Sequence, residues 1–256
     1  MKSLYAFFKK EVLESARSGK LTILGIMFLL FGIMNPAIAK MTPWMAEILS
    51  DSLEGSGILV TDVTVNALTS WTQFFKNIPM ALIVFVLMYS TTFTKEYSLG
   101  TLVLILTKGL SRYKVVISKA VLMLILWTAG YWFCFGITYG YNAYFWDNGI
   151  AAGLVPAAFN WWLFGLWIVC LNVLFSVLFK SNVGVLMGTG GSFVASYLIG
   201  LFPKAGQYVP TVLMKNALLL NGAESADIYV KAVIVTATLC VICLIISVPI
   251  MNRKQI

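Results

Sequence analysis

The sequence predicts an all-α integral membrane protein with six transmembrane helices, forming a single transmembrane domain over residues 1–256. Three observations predict it. The chain is 60% apolar and 11% charged, against about 45–50% and about 25% in soluble domains. Its apolar stretches run unbroken for the roughly 20 residues that a helix needs to cross a bilayer, without the alternation that marks barrel strands. Its lysines and arginines also sort to one side of the spans so defined.

The elements follow in order. Residues 1–20, MKSLYAFFKKEVLESARSGK, predict a helix at the membrane surface, with Leu4, Tyr5, Phe8, Val12 and Ala16 on one face and Lys10, Glu14 and Arg17 opposite. Phe7 and Leu13 fall off this stripe. The alternative is a basic segment whose charge acts only in topology. The first span covers residues 21–39. Its end, Ala37-Ile38-Ala39, resembles the small-residue site at which signal peptides are cut, but Glu11 and Glu14 and a long leading segment argue against cleavage. The second span is 74–94, and a charged loop occupies 95–114. The third span, 115–145, exceeds what the hydrocarbon core requires, so it tilts or projects. The fourth is 154–179, the fifth 183–202 and the sixth 229–251.

With the N-terminus in the cytoplasm, only Lys40, Lys76, Lys204, Lys215 and Lys231 of the 18 basic residues fall outside, and the other thirteen fall inside. That asymmetry is the positive-inside pattern, with both termini cytoplasmic. The net charge of +8 is therefore a topological signal and not a nucleic-acid one.

Several chemistries are excluded or disfavoured. There is no histidine, the commonest general base and metal ligand, so no catalytic or metal site is expected. Cys240-Val-Ile-Cys243 has the spacing of a redox or metal pair, or is a pair of small apolar residues within a span. The span interiors read as free of ionisable groups, which disfavours an ion-coupled carrier. Their notable polar residues are Asn35, Asn172 and Ser176. No GxxxxGK[ST] loop is present, so any ATP binding falls to another subunit.

The loop at 95–114 carries the most information. Gly100 breaks the run that ends at Leu99, residues 102–106 are wholly apolar, and Lys108-Gly109 is a helix stop. A short apolar helix flanked by charge must dock, either on the ends of neighbouring helices or on a partner protein. Glu96, then Gly100-Thr101-Leu102, Leu104-Ile105-Leu106, Ser111-Arg112 and Lys119 occur in an order that resembles the permease subunits of type-2 ABC exporters. The resemblance implies a coupling helix seated in a cleft of a separate ATPase, with Glu96, Gly100, Thr101, Leu102, Leu104, Ile105 and Arg112 as the ATPase-coupling residues. It further implies that residues 1–20 are an elbow helix and that residues 203–228 form a re-entrant hairpin, where the residues alone also allow a partly buried outer helix. ATP and magnesium would be bound by the ATPase and no cofactor by this chain.

In the fifth span Gly184, Gly188, Ser192, Ser196 and Gly200 recur every four residues, a face that suits close helix contact within one subunit or between two. The dimeric build of the resembled family favours a subunit interface. Tyr139, Tyr141, Tyr144, Phe145 and Trp146 form an outer aromatic belt or line an exit, so Tyr139 and Asn172 are candidate substrate-path residues. The function expected is export of a hydrophobic or amphipathic substrate, a peptide first, across a bacterial plasma membrane. Its partners would be an ABC ATPase, a second permease subunit and membrane lipid, with no nucleic acid. An ion-coupled carrier and a non-transporting scaffold are the alternatives.

Overall fold

The computed structural model describes residues 2–52, 65–107, 109–215 and 217–254. A bilayer offers no water to backbone N–H and C=O groups, so a spanning chain satisfies them within helices. Eleven α-helices are found among the described residues: α1 (Lys2–Arg17), α2 (Lys20–Ser52), α3 (Ala67–Tyr89), α4 (Thr91–Ser98), α5 (Thr101–Thr107), α6 (Arg112–Phe145), α7 (Leu154–Leu178), α8 (Asn182–Ile199), α9 (Pro203–Gly206), α10 (Ala217–Leu220) and α11 (Val230–Arg253). Six stretches are long and apolar enough to cross a membrane: one each in α2, α6, α7 and α8, one over α3 with α4, and one over Ala226–Arg253.

Local sequence sets several boundaries. The Asn66 side chain accepts the Thr69 N–H and caps α3, and the Ser181 hydroxyl oxygen accepts the Gly184 N–H and caps α8. The first span is longer than the sequence suggests. α2 does not stop near Ala39 but continues past Pro36 and Pro43 to Ser52. Prolines are tolerated in membrane helices because neighbours satisfy the freed backbone groups. Lys40 does not end the helix either: its ammonium lies 3.9 Å from the centre of the Phe145 ring, a cation–π contact.

α7 is the centre of the molecule and is buried along most of its length. α11, α6 and α8 pack on it, and α2 packs between α3 and α6. The core is aromatic: Phe28, Trp71, Phe85, Trp127 and Tyr131 are all fully buried. Glycines permit the closest approaches. A Cβ at Gly165 would come within 2.1 Å of the Trp127 indole, and one at Gly130 within 2.2 Å of Phe28. Two of the buried ring donors are matched by backbone: Tyr131 donates to the Ala158 carbonyl at 2.8 Å and Trp127 to that of Trp162 at 3.2 Å.

Residues 203–228 do not form one apolar helix over 212–220. The segment is α9, a 3-10 turn at Pro210–Met214 and the single turn α10, followed by a 3-10 turn at Ala226–Tyr229. Pro210, Thr211 and Leu213 are buried, where the first turn packs against α7, α11 and α8. A helix broken at Pro203 and Pro210 can tuck its short pieces between span ends in a way that a straight helix cannot.

Candidate functional site at the α1 end of the bundle

The structure gathers the informative loop, the N-terminal helix and the last helix at one end. α4 stops at Leu99 and Gly100, whose φ of +65° is the left-handed conformation that favours glycine. The Leu99 N–H returns to Lys95 O at 3.0 Å and the Gly100 N–H to Tyr97 O at 3.3 Å. α5 then runs for seven residues and ends before Gly109, at φ +85°. Lys108, the other half of the expected stop, lies outside the described residues. Both glycines thus do what the sequence assigned to them.

α5 is half-docked. Leu102 is fully buried, and Ile105 and Leu106 pack partly against the core. Thr101 is half-buried, whereas Leu99, Val103 and Leu104 are exposed, Leu104 by 63%. The apolar turn therefore divides, with one side fixed to its own bundle and the other presented outward.

Glu96 is placed differently from expectation. It does not face outward with Leu104 but is 7% exposed and belongs to a buried ion cluster. The Lys119 ammonium, 2% exposed, lies 2.7 Å from Glu11 Oε2 and 3.1 Å from Glu96 Oε1. Lys119 also donates to the Thr92 carbonyl at 3.2 Å. Lys10 reaches Glu11 at 3.0 Å, Glu14 at 2.7 Å and Glu96 at 3.5 Å. This corrects the reading that span interiors hold no ionisable group, because Lys119 sits two turns inside α6. A charge so buried persists only with partners, and here α1 supplies Glu11 and α4 supplies Glu96. Glu96 is thereby a positioning residue, tying the helix before α5 to α1 and α6. Burial pulls the Lys10 ammonium down, but hydrogen bonding and charge from Glu14 and Glu11 outweigh it and hold Lys10 above its usual value. The same Lys10 hydrogen bond holds the Glu14 carboxyl below its ordinary value.

The cluster also shows which face of α1 meets the bundle. The face toward the protein is Phe7, Glu11 and Ser15, with Leu4, Phe8 and Val12 half-buried and Tyr5 72% exposed. Hydrophobic periodicity does not point to this face, because its central residue is a glutamate with a partner 108 residues away.

Arg112 is tied to the end of the last helix. Its Nη1 donates to the carbonyls of Met251, Asn252 and Lys254 at 3.1, 3.1 and 2.6 Å, capping the C-terminus of α11. Lys254 in turn caps α7, donating to the carbonyls of Val177, Leu178 and Phe179. Its ammonium lies 4.1 Å from the Tyr97 ring centre. Burial, and then the charge of Lys180, lower the Lys254 ammonium to about 8. This second cap is not legible in the sequence, because a lysine at the last helix end reads as an ordinary topological charge.

The remaining candidates lie elsewhere. Asn172 is fully buried and lines no open path: its amide donates to Val86 O at 3.2 Å and its oxygen accepts Ser176 Oγ at 3.2 Å. It joins α7 to α3. Tyr139 lies at the opposite end, 47% exposed, its ring stacked on Phe135. The small-residue face of α8 is used within the chain. A Cβ at Gly188 would come within 2.5 Å of Phe175 and one at Gly184 within 2.9 Å of Phe179. Ser196 meets Thr211, and a Cβ at Gly200 would come within 3.3 Å of Val209. Ser192 is half-buried. The face left open is Met187, Gly190, Gly191 and Val194, where glycine Cβ atoms would meet nothing within 4 Å.

Comparison with known proteins adds a family. The uncharacterized transmembrane protein YxlG of Bacillus subtilis (strain 168) is 25% identical over 237 residues, covering 90% of this chain and 89% of that protein. No solved structure matches. The family described as "Protein of unknown function (DUF2705)" matches residues 57–256. The chain is a multi-span membrane protein that belongs to the DUF2705 family.

Proposed function

We propose that the chain is the membrane-spanning subunit of an ATP-driven exporter of the type-2 ABC kind. It works with a separate ATPase, which binds ATP and magnesium, and with a second membrane subunit, identical or related. The observation that carries this reading is α5: a seven-residue helix anchored by buried Leu102 that presents Leu99, Val103 and Leu104 outward at the basic end. An exposed apolar turn on a rigid mount suits a groove on a partner. The mount is the ion cluster, through which a push on α5 would reach α4, α1 and α6. ATP-driven closure of the partner then biases the spans between two states by differential contact at this element.

The α1 end faces the cytoplasm of a bacterial cell, as the lysine and arginine asymmetry supports. The substrate is hydrophobic or amphipathic, a peptide in the first instance. A photo-crosslinking residue at position 104 in native membranes tests the reading: it should label an ATPase, and labelling of lipid alone would contradict it.

One observation favours the ion-coupled carrier as a second reading, namely the buried Glu96–Lys119 pair within the spanning helices. A carrier would move substrate in vesicles that lack ATP, driven by an ion gradient. An ATP requirement in those vesicles eliminates it.

A further inference from the structure

At the end away from α1, a crevice opens between α3, α7 and α8. Its inner part, about 250 Å³, is walled by Leu82, Val86, Phe164, Ile168 and Phe193. Thr189 also lines it, but the Thr189 hydroxyl is committed to the Val185 carbonyl at 2.9 Å. Met214 and Pro79 lead from this part to a wider mouth of about 390 Å³ that Met214 also lines. Two lysines, Lys76 and Lys215, stand at the mouth, both exposed and neither paired with an acid among the described residues. Glu224 lines the mouth too, but its Oε2 accepts the Tyr229 hydroxyl at 2.9 Å. The mouth is thus basic and the interior apolar.

A third feature lies in the wall. Trp161 is 2% exposed, and its indole Nε1–H has no acceptor among the described residues. A buried indole N–H ordinarily finds a partner. Nε1 itself is closed off by protein, so Trp161 contributes the apolar body of its ring to the wall.

We infer that this crevice holds an acyl chain of an anionic phospholipid of the surrounding bilayer, with the headgroup phosphate at Lys76 and Lys215. From Lys76 to Leu87 along α3 is about 17 Å at about 1.5 Å per residue. That is close to one leaflet of a hydrocarbon core about 30 Å thick. Two lysines at the headgroup level discriminate an anionic lipid from a zwitterionic one. The apolar wall then takes the chain without desolvating any charge. The inference stands whether or not the chain works with an ATPase.

The test is native mass spectrometry of the protein released from nanodiscs of equal phosphatidylglycerol and phosphatidylcholine. The wild type should retain phosphatidylglycerol in at least tenfold excess. Lys76→Glu/Lys215→Glu should abolish that excess, and both side chains are exposed, so the fold is kept. Gly190→Trp, whose side chain enters the crevice from an open position, should lose the bound lipid. Lys204→Glu, an exposed lysine at the same end that does not line the crevice, should keep the preference. Equal retention of both lipids by the wild type, retention of the excess by the double variant, an unchanged lipid complement in Gly190→Trp, or loss of the preference in Lys204→Glu would each overturn it.

Discussion

The two ends of the bundle use the same residue type in opposite ways. At the α1 end lysine and arginine are struts: Lys119 and Lys10 join three helices through Glu11, Glu14 and Glu96, while Arg112 and Lys254 cap α11 and α7. At the other end Lys76 and Lys215 have no acidic partner among the described residues and stand at the mouth of an apolar crevice. The first end is therefore rigid through its charges, and α5 is mounted on it. The second end keeps these two charges available. In a membrane protein, a basic residue on a span is thus either a structural tie or a headgroup contact, and burial with partners separates the two.

The sharpest way to break the comparison is to remove the central strut. Lys119→Met leaves Glu11 and Glu96 buried without their shared cation and should cost about 3–5 kcal/mol. Combining it with Glu11→Gln and Glu96→Gln should recover much of that loss, read from thermal unfolding in detergent. A neutral Lys119→Met would show that the cluster ties nothing. Arg112→Met strips three charge-assisted hydrogen bonds from the end of α11 and should cost about 1.5–3 kcal/mol in the same assay.

Gly188→Leu drives a side chain into Phe175 of its own chain and should lower stability by about 1–3 kcal/mol. Changed crosslinking between subunits at unchanged stability would instead return this face to a subunit interface. The smallest effect is one of pH. Because the folded state holds Lys254 near 8, below its ordinary 10.5, the unfolded chain binds more protons between those values. Its contribution to stability therefore rises from pH 8 to 10.5. Wild type should gain slightly in Tm over that window relative to Lys254→Gln, and a relative fall would reject the assignment.

Much of the fold was legible in the sequence. The third to sixth spans end close to the expected positions, because an apolar run long enough for a bilayer admits one solution. Gly100 and Gly109 were legible as helix stops, and both adopt positive φ. The first span, read as 21–39, belongs to a helix that runs on to Ser52, and the Phe145 ring receives Lys40 beyond the expected end. The site was harder to read. Gly100 and Leu102 fall together where the turn docks and Leu104 faces outward, but the inward role of Glu96 depends on Glu11 and Lys119, which meet only in three dimensions. Asn172 shows the same limit: a polar residue in a span is either a path or a tie, and the Val86 carbonyl decides for the tie.

The central claim is that α5 is the point at which a separate ATPase engages the bundle, and co-purification from native membranes tests it most directly. Leu104→Asp lies on the exposed side of α5, so it should leave stability within about 0.5 kcal/mol of wild type. An ATPase that accompanies the tagged wild type and is lost from Leu104→Asp is the predicted result. A wild type that brings down no ATPase in mild detergent, or a Leu104→Asp variant that retains it, would contradict the account.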